Sequence, residues 1–187
     1  MNTPILITSF QPWRVHQRSN SSDDLVAEMQ KKGLLPSGTV WLRQVPVSFD
    51  LAPVRVESEI MRLRPRVVIC CGMAEKRWRL SVERQAKRYL QRQTPHTEGF
   101  AAAQISVLQT TVDVDRLVTG TCLSKVSEDA GSYVCNHLYY SVLKLVGSVD
   151  WEITGIFIHV PILHPDNKTF LVEDFSKILA RLVNRDC

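Results

Sequence analysis

Short apolar runs alternate with longer amphipathic segments along the chain, and this alternation restricts the fold more than any other feature of the sequence. Runs rich in β-branched residues predict strands at residues 4–10, 39–47, 66–73, 104–112 and 151–163, with weaker patterns at 79–87 and 123–126. Helical spacing or boundary residues predict helices at residues 22–32, 50–63, 113–118, 133–146 and 168–184, the first capped by Ser22 or Asp23. We therefore predict an α/β fold: a single three-layer α/β/α domain over residues 1–187, with a mostly parallel, mixed central sheet.

Composition narrows the classes of function. The 187 residues carry a formal net charge of +4, and the basic residues are spread out instead of forming a block, so nucleic-acid binding is not expected. The N-terminal residues lack a basic start and a long apolar run, which argues against a signal peptide or membrane span. Five cysteines without Cys-x-x-Cys spacing argue against a disulfide framework and a compact zinc site. A reducing, cytoplasmic location fits this pattern best.

Cys135 stands where a reactive thiol would be placed. It follows the small residues Ala130, Gly131 and Ser132 and opens a helical-looking run. The first turn of a helix exposes unpaired N–H groups and the positive end of the dipole, and both favour a thiolate. Most cysteines need no such surroundings, so a structural role for Cys135 stays open at this point.

His159 and Glu83 are candidates for a base and its orienting acid. His159 interrupts an apolar run, where it is either a buried, hydrogen-bonded histidine or a general base. Glu83 lies in a strand-like segment, where it could orient an imidazolium or form an ion pair with Arg84 or Arg79. His137 follows Cys135 by two residues, a spacing that points the two side chains to different helix faces and makes His137 a poor base.

Metal and cofactor chemistry are not expected. The set Cys135, His137, His159 and Asp166 matches no compact ligand spacing, and adjacent Cys70 and Cys71 in a strand point to opposite faces.

Several segments together resemble one family, the pyroglutamyl peptidases, which are cysteine peptidases with a Cys-His-Glu triad. Residues 130–137 resemble their nucleophile motif, residues 157–161 their histidine motif and residues 82–86 their acidic motif. Further segments fit in the same order along the chain, at residues 8–13, 20–22, 45–47 and 72–77. The resemblance covers nearly the whole sequence and includes all three triad positions.

The resemblance implies removal of an N-terminal pyroglutamyl residue from a peptide or small molecule, without a metal or cofactor. Cys135 would attack the acyl carbonyl, His159 would move the proton, Glu83 would orient His159, and a thioester acyl-enzyme would be hydrolysed by water. By the same resemblance, four residues contact the pyrrolidone ring: aromatic Phe10 and Trp13, the backbone carbonyl of Met73, and Val134. The family also makes a homo-oligomer possible.

Some positions differ from the family pattern. Arg14 and Val15 replace a Gly-Gly pair, Arg88 replaces an Asn and Gln93 replaces an Arg. Because these changes fall on the substrate-facing side, three hypotheses stay open: a pyroglutamyl peptidase, a relative acting on another blocked or lactam-like substrate, and a catalytically weak binding protein on the same fold.

Overall fold

The computed structural model describes residues 4–15, 17–90 and 103–184, and all side chains in these ranges except those of residues 90 and 103–105. The strands are β1 (Ile5–Phe10), β2 (Thr39–Val45), β3 (Val67–Met73), β4 (Leu80–Glu83), β5 (Gln85–Leu90), β6 (Ala103–Gln109), β7 (Ser124–Ser127) and β8 (Thr154–Val160). The helices are α1 (Ser21–Lys31), α2 (Leu51–Leu63), α3 (Val114–Val118), α4 (Val134–Val146) and α5 (Pro165–Asn184).

Six strands form the central sheet in the order β2-β1-β3-β8-β4-β7. The first four are parallel, whereas β4 runs antiparallel to β8 and parallel to β7. Strands β5 and β6 form a separate antiparallel pair. The predicted mostly parallel, mixed sheet is therefore confirmed.

Helices cover both faces of this sheet. Apolar residues of α1, α3 and α5 pack on one face, and those of α2 and α4 pack on the other. Cys70 and Cys71 belong to the two different packed clusters, as predicted for adjacent strand residues. The face under α2 and α4, which also contacts the β5–β6 pair through Ala86, holds the site described below.

The structure corrects three element boundaries. Helix α1 is capped by Asn20, not Ser22 or Asp23, because the Asn20 side chain accepts a hydrogen bond from the Ser22 N–H. Strand β8 ends at Val160, before Pro161, and α5 begins at Pro165, since proline suits the first position of a helix. The predicted strand at residues 79–87 is two strands that belong to different sheets.

Candidate active site

Three neighbouring strands present the central residues of the site on one face of the sheet. His159, near the end of β8, pairs with Gly72 on β3, while Glu83 on β4 is opposite Phe157. Glu83 is thus the diagonal neighbour of His159, a separation that side chains can bridge. The His159 Nδ1 lies 2.7 Å from the Glu83 Oε1.

The register of these strands also fixes the chemistry of the His159 ring. An ionised carboxylate only accepts hydrogen bonds. The Nδ1 of His159 therefore carries a proton and donates a hydrogen bond to Glu83. The other ring nitrogen, Nε2, is then unprotonated in the neutral imidazole and able to take a proton.

Cys135 approaches the same face from above, as the second residue of α4. The helix cap, Tyr133, gives no side-chain hydrogen bond to the first turn of the helix. Space for the thiol comes from Gly72, where a Cβ atom would lie 2.9 Å from the Cys135 Sγ and 2.8 Å from the Cζ of Phe157. The absent side chain at Gly72 therefore lets Sγ reach the strand that pairs with His159.

Glu83 is fully buried, and its Oε1 accepts a second hydrogen bond, from the Arg77 Nη1 at 2.5 Å. Burial alone would raise the pKa of this carboxyl, but the bond from His159 and the charge of Arg77 bring the pKa below its usual value. Glu83 is thus a carboxylate at neutral pH. The alternative ion pairs considered from the sequence do not form, since Arg84 bonds to Glu128 and Asp115 instead.

The resting thiol and imidazole are both neutral. Burial, together with the charge of Glu83, raises the pKa of the Cys135 thiol to about 12, and the opposing effects of its own N–H and of Arg77 are smaller. Burial also lowers the pKa of His159, against the influence of Glu83. The expectation of a stabilised thiolate at the helix N-terminus is therefore wrong: desolvation outweighs the helix.

No hydrogen bond joins the Cys135 Sγ to His159 within the described ranges, although both side chains line one cavity. Active-site hydrogen bonds are often long before substrate binds, so this geometry is compatible with proton transfer. Among the described residues, no group of three or more His, Cys, Asp or Glu side chains is arranged to hold a metal ion.

The cavity has a volume of about 150 Å³. A cavity of roughly this volume can hold a single benzene-sized ring. It is lined by Phe10, Trp13, Asn20, Val47, Met73, Ala130, Tyr133, Cys135 and His159.

Residues 3–170 match the sequence profile of the family described as pyroglutamyl peptidase. The chain belongs to the pyroglutamyl peptidase family. A pyrrolidone-carboxylate peptidase of Yersinia pestis is 29% identical over 171 residues, in an alignment that covers 85% of this chain and 78% of the relative.

Solved structures of pyroglutamyl peptidases have the same fold. The pyroglutamyl peptidase I of Bacillus amyloliquefaciens superposes with a TM-score of 0.74 at 24% identity, covering 98% of this chain and 94% of that one. The pyrrolidone carboxyl peptidase of Thermococcus litoralis gives a TM-score of 0.76 at 19% identity, with the same two coverages of 98% and 94%. These superpositions confirm the predicted fold class.

Three of the four residues that family resemblance assigns to the ring slot line the cavity. These three are Phe10, Trp13 and Met73. The side chain of Val134, the first residue of α4, is buried in the core, and the neighbouring Tyr133 lines the cavity instead. The Tyr133 ring lies 5.5 Å from the Trp13 ring, centroid to centroid.

The loop that contains Arg14 and Val15 is held by its own contacts. The Arg14 guanidinium lies 4.4 Å from the centre of the Trp13 ring and 3.1 Å from the Glu75 carboxylate. The Gln17 side chain accepts the N–H groups of Trp13 and Arg14 and donates to Glu75. Of the other departures, Val15 and Arg88 are exposed and Gln93 lies outside the described residues.

The sequence did not point to Asn20, Tyr133 or Arg77 as site residues. Asn20 caps α1 and bonds to the carbonyl of Gln11 while it lines the cavity. An Asn directly before a Ser-Ser-Asp run is a helix-cap signal, and this signal could have placed Asn20 at the start of α1, beyond the carboxyl end of β1. Tyr133 and Arg77 lie in segments that resemble the family, at residues 130–137 and 72–77, but their roles depend on contacts between distant segments.

Proposed function

We propose that this chain is a cysteine exopeptidase that removes an N-terminal pyroglutamyl residue from peptides. One observation carries the proposal: Cys135 and His159 line the same ring-sized cavity, and Glu83 lies directly behind His159. A flat, neutral lactam ring suits a slot between Phe10 and Trp13, because both aromatic side chains line this ring-sized cavity.

Acylation begins with the thiol and imidazole both neutral. Sγ of Cys135 attacks the acyl carbonyl carbon while Nε2 of His159 takes the thiol proton, and Glu83 stabilises the imidazolium that forms. The developing oxyanion lies near the N-terminus of α4, where the Cys135 N–H is available to it. The C–N bond then breaks, and the imidazolium gives its proton to the departing amine.

Deacylation returns the site to its starting state. A water molecule attacks the thioester carbonyl and gives a proton to Nε2 of His159. The C–S bond breaks, the proton passes to Sγ of Cys135, and pyroglutamic acid leaves. Because burial raises the pKa of the Cys135 thiol and lowers the pKa of His159, the attack requires His159 to take the thiol proton.

The proposed activity predicts release of aminomethylcoumarin from the pyroglutamyl amide by the reduced protein, with no release from the prolyl or alanyl amides. Proline has the ring without the lactam carbonyl, so this pair of substrates isolates recognition of the lactam. Turnover of a different lactam amide alone would favour the second hypothesis, and ligand binding without turnover would favour a binding protein.

Gly72→Ala is expected to lower kcat/KM for the pyroglutamyl amide about 100-fold, because a misplacement of roughly 1 Å costs that much. The new Cβ would force Sγ of Cys135 or the ring of Phe157 to move. Overpacking should also lower the free energy of unfolding by about 1–3 kcal/mol.

Gly155→Ala is the matched control for this change. Gly155 is also a buried strand glycine, and its Cβ would meet the Cγ1 of Val142 at 3.1 Å, away from the thiol. Urea unfolding should show a stability loss in both variants, while kcat/KM should fall only in Gly72→Ala. Equal losses of activity would contradict the steric account of Gly72.

Further properties of the chain follow from the same proposal. Cys70, Cys71, Cys122 and Cys135 are all free thiols, which supports a reducing, cytoplasmic location. No helix in the described ranges is long and apolar enough to cross a membrane. We infer a single domain from the one six-stranded sheet, and self-association stays a prediction that sedimentation can test.

A further inference from the structure

Arg77 connects two parts of the site that are far apart in sequence. It lies in the connection between β3 and β4, and its Nη1 donates to the Glu83 Oε1 at 2.5 Å. Its Nη2 donates at 2.6 Å to the backbone carbonyl of Asp129. The Arg77 side chain is 24% exposed and makes no hydrogen bond to Cys135 or His159 within the described residues.

The two acceptors of Arg77 each contact a segment that positions one reacting group: Glu83 bonds to His159, and Asp129 lies in the loop before Cys135. Glu83 holds His159 through Nδ1. Asp129 begins the loop that leads to Cys135, and its side chain accepts the N–H of Gly131, a residue with a φ of 82°. A shift of this loop would move the start of α4, and with it the thiol.

The geometry points to Arg77 as a positioning residue, whose guanidinium holds Glu83 and the Asp129 loop at a fixed separation so that His159 and Cys135 stay aligned. This inference rests on the proposed peptidase function. An arginine suits the role because its planar fork presents donors in two fixed directions, whereas a lysine is a point charge on a flexible stem.

The buried position of Glu83 increases the importance of the contact. Glu83 has no exposed surface, and the same oxygen accepts from both Arg77 and His159. Without Arg77, the carboxylate would be free to rotate about its remaining bond to the imidazole. The charge of Arg77 also acts on the reacting groups, since it lowers the pKa of both His159 and Cys135.

The test compares Arg77→Gln and Arg77→Lys with Arg84→Gln. Arg84 is a matched control because it is similarly exposed, at 29%, and its ion pairs are with Glu128 and Asp115 instead of Glu83. A misplacement of a reacting group by roughly 1 Å lowers activity by about 100-fold. We expect a decrease of this size in kcat for Arg77→Gln, a smaller one for Arg77→Lys, little change in KM, and wild-type kinetics for Arg84→Gln.

The pH profile separates positioning from a merely structural role. His159 faces Glu83 on β4, Arg77 in the β3–β4 connection, Asp129 in the loop before α4, and Cys135 on α4. Removing the cation should raise the pKa of His159, so the acid limb of kcat/KM should move to higher pH in Arg77→Gln. A loss of activity that is equal at every pH would overturn the proposal.

A second readout does not depend on the pyroglutamyl substrate. In a Cys122→Ser background, the rate at which iodoacetamide alkylates Cys135 should rise at a higher pH in Arg77→Gln than in Arg84→Gln. This shift should appear even if the wild-type protein cleaves no pyroglutamyl amide, which distinguishes failure of this inference from failure of the proposed function. Unchanged alkylation, or unfolding of both Arg77 variants while Arg84→Gln stays folded, would contradict a positioning role.

Discussion

Replacing Cys135 with serine should lower kcat for the pyroglutamyl amide by about 10⁴-fold or more, because loss of a nucleophile removes the covalent route entirely. A hydroxyl at this position would be far less acidic than the thiol and far less nucleophilic. Steady-state kinetics with the fluorogenic amide measure the effect directly.

The control for this variant is Cys122→Ser, because Cys122 is an exposed thiol with no place in the cavity. It should retain wild-type kinetics. The Cys135→Ser protein should still bind a pyroglutamyl peptide, which a rise in melting temperature on adding the peptide would show. Turnover by Cys135→Ser within tenfold of the wild type would exclude Cys135 as the nucleophile.

Glu83→Gln is expected to lower kcat by about 10³–10⁴-fold, the scale seen when the orienting acid of a triad becomes an amide. A glutamine cannot stabilise the imidazolium by charge. Its carbonyl oxygen can keep both contacts that Oε1 makes, but its NH₂ group then takes the buried position of Oε2, which has no hydrogen-bond partner among the described residues. The unfolding free energy should also fall by about 1–3 kcal/mol, as for other unpaired buried groups.

The pH dependence of Glu83→Gln gives a sign that can be checked. Glu83 favours the protonated form of His159 by its hydrogen bond and its charge, against the effect of burial. Its loss should lower the pKa of His159 further and move the acid limb of kcat/KM to lower pH. This shift is opposite to the one expected for Arg77→Gln, so two variants of one ion pair should move the profile in opposite directions. A wild-type profile in Glu83→Gln would show that Glu83 does not act on the base.

The fold could be predicted largely from sequence periodicity, because each apolar run and amphipathic stripe reports its own local environment. The exceptions are places where the choice of pairing partner depends on distant strands, which a local pattern does not report. Residues 79–87 read as a single strand, yet the chain leaves the central sheet after Glu83 and pairs Gln85 with Gln109. The direction of β4 could not be predicted from the sequence either, since nothing in residues 80–83 specifies antiparallel pairing with β8.

For the candidate site, the sequence pointed to the three central residues but not to the geometry that surrounds them. Cys135, His159 and Glu83 were proposed through family resemblance; in the structure Glu83 bonds to His159, and Cys135 and His159 line one cavity. Their approach depends on the pairing of Gly72 with His159, a long-range register that composition does not encode. Tyr133 lines the cavity where Val134 was expected, for a different reason. Resemblance locates the start of α4, but it does not show which residue near that start faces the cavity.

Burial of the Cys135 thiol has a consequence for the lifetime of the protein. Oxidation by peroxide proceeds through the thiolate, and the raised pKa of the Cys135 thiol lowers the fraction of thiolate that can react. The exposed Cys122 meets an oxidant first and can be lost without damage to the cavity. In the proposed mechanism, the desolvation that disfavours the thiolate of Cys135 is also the reason that the thiol needs His159 to take its proton.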